Sequence, residues 1–240
     1  METITEKTVR EIAIEDPSSV RVFESLGIDY CCGGKRPLSD ACSHAGVDMD
    51  RVMELLATAS RDSQAPASGE WNKKRLTELI DHIVRTHHGF VRRETPRIAS
   101  LLTKVAAKHG LLHPEIHQIE SLFTAIGQEL STHMLKEEQV LFPYVARMEQ
   151  AVLSGSPIPE AFFGSVKRPI ANMVAEHDDA GVLLSQIREL SHGYTAPSGA
   201  CPTFLALYRG LEEFERDLHQ HIHLENNILF PRAVEMEQAH

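Results

Sequence analysis

HMLKEEQVLFPYVARME (residues 133–149) and HIHLENNILFPRAVEME (residues 221–237) share the frame H-x-x-x-E-x-x-x-L-F-P-x-x-x-x-M-E, every shared position 88 residues from its counterpart. Both copies place apolar residues at helical spacing, so each is expected on a helix. Side chains four apart on a helix lie about 40° from alignment, which aims His133 and Glu137 at one point and His221 and Glu225 at another. A lone H-x-x-x-E is ordinarily a surface ion pair. Here two matched copies are each followed by Leu-Phe-Pro and flanked by Val140 and Leu141 or by Ile228 and Leu229, which marks buried faces. Burying ionisable groups is costly unless they are paired or bound to metal. A metal accounts for the pattern better than surface ion pairs do.

Outward from these two stretches, the same spacing recurs in Leu76, Leu79, Ile80, Ile83 and Val84, and in Ile119, Leu122, Phe123, Ile126 and Leu130. Further helical stretches run over residues 170–190 and 203–237. His113-Pro114, residues 154–159 and residues 191–202 break the pattern. Four long helices in one stretch of this length imply a four-helix bundle. Halves that repeat inside it imply two helical hairpins related by a pseudo-twofold axis. A fainter echo links LIDHIVRTHH (residues 79–88) with PIANMVAEHD (residues 169–178). It offers His177 as a ligand from the third helix, with either His87 or His88 as its partner on the first. His88 follows Val84 and Ile80 at helical spacing, which favours it slightly, but the echo alone leaves both open. Four imidazoles and two carboxylates suit borderline divalent metals, iron above all. If Glu137 and Glu225 both bridge, two metals each receive two histidines and two carboxylate oxygens, and a solvent-derived oxygen bridge adds a fifth ligand. A structural zinc site closes with four ligands and leaves such a set unexplained.

The run SRDSQAPASG (residues 60–69) reads as a linker. It divides residues 1–60 from a bundle over 72–240, with 61–71 between. The N-terminal piece is expected to form three short helices: one opened by Asp16-Pro17 and stopped by Gly27, one from Ser39 to near Gly46, and one capped by Asp48. A piece so small buries little surface alone and needs something to pack on, which makes a homodimer a reasonable expectation. Cys31 and Cys32 are followed by Gly33, Gly34, Lys35 and Arg36. Two glycines imply an exposed turn and the bases favour thiolate, so these cysteines are candidates for redox or iron-transfer work. Cys42 and Cys201 lack such a setting and read as structural. Glu129 and Glu176, close to His133 and His177 in sequence, are candidates to support the ligands or to line a route for leaving iron. Pro143 and Pro231, each six residues past a ligand glutamate, are expected to kink their helices.

Composition narrows the function classes. With 34 acids against 24 bases the formal charge is −10, and 42% of residues are hydrophobic. That balance argues against nucleic acid or an anionic membrane as a partner. No apolar run approaches the roughly 18 residues of a membrane span. The charged opening METITEKTVREIAIED resembles neither a secretory nor a transit peptide, and the sparse cysteines suit a reducing cytoplasm.

Asp29-Tyr30-Cys31-Cys32-Gly33-Gly34-Lys35, followed by the doubled H-x-x-x-E-x-x-x-L-F-P, resembles the family that repairs iron centres, over nearly the whole chain. The resemblance implies an all-α protein, with a small ScdA-type N-terminal domain ahead of a hemerythrin-like bundle. It implies two non-haem irons held by His88, His133, Glu137, His177, His221 and Glu225. An ungapped match from Asp81 to Pro96 selects His88 over His87. The implied function is repair of iron-sulfur clusters damaged by nitrosative or oxidative stress, through donated iron. Its partners would be damaged cluster proteins, with nitric oxide or other small oxidants reaching the irons. Two alternatives are a di-iron protein that binds or reduces nitric oxide or peroxide, and a sensor of nitric oxide or oxygen. Oxygen-carrying hemerythrins differ in having a further histidine where Gly181 stands.

Overall fold

The computed structural model describes residues 4, 6–31, 33–61 and 71–239, which excludes Cys32 and most of the expected linker. The described residues form four short helices and then four long ones. The first four are α1 (Val9–Glu15), α2 (Ser19–Leu26), α3 (Leu38–Ala45) and α4 (Met49–Arg61). Three short helices are expected here, and α1 is the addition. It begins with a capping box in which Glu11 N donates to Thr8 Oγ1 (3.2 Å) and Thr8 N donates to Glu11 Oε2 (2.8 Å). Thr-x-x-Glu is the signal that marks this start. Gly27 and Gly46 end α2 and α3 at φ 67°, a conformation that costs other residues a clash at Cβ. Asp48 caps α4 by accepting from Arg51 N (3.0 Å).

The long helices are α5 over residues 76–109, α6 over 115–154, α7 (Lys167–Leu190) and α8 over 202–238. The bundle pattern of the sequence is therefore the fold. Three of the four contain one π-helical turn: Val84–His88 in α5, Glu137–Leu141 in α6 and Glu225–Leu229 in α8. The expected proline kinks are replaced by these turns. α-Helical register restarts at Phe142 and at Phe230, so Pro143 and Pro231 occupy the first turn of a restarted segment, where a missing N–H breaks no bond.

The shared Met-Glu at the end of each repeat has a structural purpose. Glu149 accepts from Leu76 N (2.6 Å), Thr77 N (3.0 Å) and Thr77 Oγ1 (2.7 Å), which caps the start of α5. Its counterpart Glu237 accepts from Val166 N (2.8 Å) and Ser165 Oγ at the start of α7. A carboxylate against a helix N-terminus satisfies orphan donors and meets the positive end of the helix dipole.

Buried apolar side chains separate into two clusters. One contains Leu79, Ile83, Leu141, Phe142, Met173 and Leu229. The other contains Ile98, Leu102, Phe123, Leu184, Phe214 and Leu218, and continues without a break into Val9, Phe23, Tyr30, Leu38 and Val52 of the N-terminal helices. The small piece thus finds its packing surface on the bundle of its own chain. Along every long helix, the six candidate ligands sit where the stretches that feed the two clusters meet.

Candidate metal centre

Each long helix sends side chains into this polar layer. His88 comes from the π turn of α5, His133 and Glu137 from α6, His177 from α7, and His221 and Glu225 from α8. Glu137 and Glu225 each open a π turn and His88 closes one. A π turn adds a residue to the helical repeat and re-aims the side chains around it, a device common at functional sites.

All six side chains are buried. Donor atoms of His88, Glu137, His221 and Glu225 lie within 4.8 Å of one another, and so do those of His133, Glu137, His177 and Glu225. The two glutamates belong to both groups. Glu137 Oε2 is 3.4 Å from His88 Nε2, and its Oε1 is 3.3 Å from His133 Nε2. Glu225 Oε1 is 3.0 Å from His221 Nε2, and its Oε2 is 3.1 Å from His177 Nε2. His88 Nε2 and His221 Nε2 stand 3.3 Å apart, His133 Nε2 and His177 Nε2 3.0 Å apart. Of the alternatives on the first helix, the structure brings His88 to the centre. His87 turns away, its Nδ1 3.1 Å from Asp217 Oδ1 and its ring stacked on that of His221.

Three of the four inward imidazoles are oriented from behind. His88 Nδ1 meets Glu138 Oε1 (2.6 Å), His133 Nδ1 meets Glu176 Oε2 (2.8 Å), and His177 Nδ1 meets Asn226 Oδ1 (2.9 Å). Acceptors at Nδ1 place the ring proton there and leave the Nε2 lone pair directed inward. Nitrogen lone pairs facing each other at these separations repel unless a cation or a proton lies between them. Glu137 Oε1, Glu137 Oε2 and Glu225 Oε2 are buried without a hydrogen-bond partner among the described residues. Such atoms are costly to bury bare, and a divalent cation in each half would satisfy all of them. The donor set therefore fits two borderline metals.

The carboxylates of this layer draw positive charge towards it. Burial opposes charge on Glu225, yet His221 and His177 hold its carboxyl well below the usual carboxylate range. Burial opposes charge on His133 as well, but Glu137, Glu225 and Glu176 together outweigh it and raise the imidazole to about 9. His221 goes down, because burial outweighs Glu225. Glu138 and Glu176 are lowered despite burial, the first by Arg92 and His88, the second by Lys136 and His133.

The pseudo-twofold that pairs the ligands does not extend to their surroundings. The 88-residue offset pairs Glu129 with Asp217, and the 89-residue offset that matches His88 to His177 pairs His87 with Glu176. On the His133/His177 side, Glu129, Glu176, Lys136 and Thr132 border a cleft of about 410 Å³ that reaches both histidines. On the other side, His87 and Asp217 bind each other, and His82 packs between His87 and Trp71. One half of the site opens to a cleft where the other is covered.

Cys31 and its surroundings differ from the expected exposed, basic turn. Cys31 is 5% exposed, while Lys35 and Arg36 are exposed. The Asp29 carboxylate closes the turn by accepting from Cys31 N (3.0 Å) and Gly33 N (2.8 Å), and Cys31 Sγ lies 3.4 Å from Asp29 Oδ1. Gly34 allows a close approach: a Cβ there would stand 2.6 Å from Tyr30 O. Cys32, the other half of the expected pair, lies outside the described residues. Cys42 is buried beside Met49, in keeping with a structural reading. Cys201 is the N-cap of α8 with its Sγ 3.3 Å from His109 Nε2, a setting that sequence spacing does not show. Glu138, Asn226 and Asp217 also escaped the sequence reading. The offset that pairs Glu138 with Asn226, each next to a ligand glutamate, is the signal that could have found the first two.

Residues 79–233 match the family described as the hemerythrin HHE cation binding domain, and residues 5–60 match a domain of unknown function, DUF542. Over 235 residues the chain is 36% identical to the iron-sulfur cluster repair protein YtfE of Pectobacterium carotovorum, covering 97% of this chain and 98% of that one. It is 36% identical over 226 residues to the YtfE protein of Yersinia pseudotuberculosis, covering 94% and 96%. The YtfE protein of Citrobacter koseri is 36% identical over 224 residues, covering 93% and 94%.

Proposed function

The chain belongs to the YtfE family of iron-sulfur cluster repair proteins, and from that premise we propose that it is a di-iron protein that repairs clusters damaged by nitrosative or oxidative stress. The observation that carries this reading is the pair of four-residue groups sharing Glu137 and Glu225. In this reading His88 and His221 would hold one iron and His133 and His177 the other, with Glu137 and Glu225 available to both. Iron bound there supplies exchangeable ligand positions and a source of metal for a cluster that has lost some. Glu138, Glu176 and Asn226 hold three of the histidine rings so that Nε2 faces inward. Cys31 and Cys32 serve transfer or reduction, and the N-terminal residues 1–60 carry them. Damaged cluster proteins in a reducing cytoplasm are the partners. Among the described residues no helix is long and apolar enough to cross a membrane.

A second reading is favoured by the cleft reaching His133 and His177. It would admit nitric oxide or peroxide to the irons, for binding or reduction. One experiment separates the two. Iron-loaded protein is mixed with an enzyme whose cluster has been damaged by nitric oxide, and recovery of that enzyme is followed with and without a strong iron chelator. Recovery that the chelator abolishes supports iron donation. No recovery, together with consumption of nitric oxide when a reductant is added, supports the second reading. The C31S/C32S double variant should keep its iron yet repair more slowly, because serine lacks the thiolate. Repair at full rate would remove the cysteines from the mechanism.

A further inference from the structure

Asn226 touches both the centre and the thiol-bearing turn. Its Oδ1 is 2.9 Å from His177 Nδ1, and its Nδ2 donates to the backbone carbonyl of Cys31 at 3.4 Å. Two neighbouring bonds hold the turn and α1 against the same π segment. Asn227 Nδ2 donates to Tyr30 O (3.0 Å), and Arg10 Nη2 donates to Asn227 O (3.0 Å).

The chemistry of the amide gives this contact a direction. A backbone carbonyl can only accept, so the NH2 end of Asn226 must face Cys31. That leaves the amide oxygen for His177, so His177 carries its proton on Nδ1 and presents the bare Nε2 to the centre. If Cys31 moved away, the amide could turn over. Its NH2 would then face Nδ1 and favour the tautomer protonated on Nε2, which has no lone pair there to offer a metal at the centre. The pseudo-symmetric position supplies a contrast. Glu138, the counterpart of Asn226, also orients a histidine, but its second partner is the Arg92 side chain and not a backbone carbonyl. A carboxylate suits that place because it has only to accept. At 226 the side chain must accept on one side and donate on the other, and an amide does both where a carboxylate cannot.

We propose that Asn226 is a positioning residue that couples metal binding in the His133/His177 half to docking of the Cys31 turn. Because coupling is reciprocal, metal in that half must also tighten the turn on the bundle. The same connection would let a partner that displaces the turn loosen the metal nearest the cleft. This rests on the di-metal reading above.

Two variants of the full chain separate the roles of Asn226. N226L removes both contacts at similar volume. N226D keeps an acceptor for His177 but has nothing to donate to Cys31. Metal-free protein is titrated with Co(II), followed by its visible bands, and amide hydrogen exchange at residues 28–31 is compared before and after loading. The wild type should take up two Co(II), with exchange in the turn slowing several-fold on loading. N226L should weaken one of the two binding steps by about tenfold or more, the usual effect of losing an outer partner of a metal-bound histidine, and exchange should no longer respond to metal. N226D should bind both ions about as tightly as wild type and also lose the exchange response. A wild-type protein that takes up fewer than two ions would sink the di-metal reading itself. Two-ion binding in the wild type, with N226L unchanged in both measurements, would overturn the coupling alone. So would equal weakening of both steps, which indicates a general packing role, or an N226D variant that keeps the exchange response.

Discussion

At the scale of single residues, neighbours in sequence are separated by what lies behind them. His88 and His87 are adjacent and both buried, yet one ring reaches Glu137 and the other Asp217. His88→Ala should therefore halve the iron content measured by elemental analysis, while His87→Ala should leave it near the wild-type value; the reverse result would move the ligand role to His87. The cysteines separate on the same grounds. Backbone N–H groups of Phe204 and Thr203 at the start of α8, with help from Lys108, lower the Cys201 thiol. Burial raises that of Cys42. At pH 7.5 iodoacetamide should label Cys201 well before Cys42, as peptide mass spectrometry would show, and equal rates would contradict the difference in environment.

At the scale of elements, the repeat is a set of matched devices along each hairpin. A ligand pair, a π turn, a restarted helix beginning Phe-Pro and a capping glutamate follow in the same order in α6 and α8. Glu149→Ala would leave the first N–H groups of α5 buried without an acceptor, at a cost of about 1–3 kcal/mol. For a protein of this size that lowers Tm by about 2–4 °C per kcal/mol. Hydrogen exchange should quicken first in Leu76–Ile83. Glu237→Ala should cost less, because Glu237 is half-buried where Glu149 is 6% exposed. A larger loss for Glu237→Ala would show that the two caps are not equivalent in the way their exposure implies.

At the scale of the whole molecule, the centre divides the core. Two apolar clusters meet a layer of imidazoles and carboxylates on either side, so the middle of the bundle is held by polar contacts rather than packing. Metal that binds the folded chain and not the unfolded one adds stability by mass action, about 2.7 kcal/mol at a hundredfold excess over Kd. Stripping metal with a chelator should lower Tm by several degrees, and restoring iron should recover it. A melting temperature indifferent to metal would contradict a cation in this layer.

The helices, their order, the doubled motif and the pairing of His133 with Glu137 and His221 with Glu225 were legible without a structure, because each depends on the period of one helix. Residues four apart share a face whatever surrounds them. The choice between His87 and His88 was not legible from spacing, since it depends on the rotation of α5 against α6 and α8, and the π turn at Val84–His88 alters that rotation locally. Nor were the roles of Glu138 and Asn226, which act across helices from 50 and 49 positions away in sequence; Glu176 was a candidate by its place beside His177, but the ring it meets is that of His133, 43 positions away. The helix Val9–Glu15 was encoded by its capping box, but short-range apolar spacing is weak over so few residues. Tertiary packing alone placed Cys31 under Asp29 and against Asn226 instead of in an exposed basic turn. Helical periodicity is local and survives in the sequence; convergence of separate helices on one point is set by how they pack.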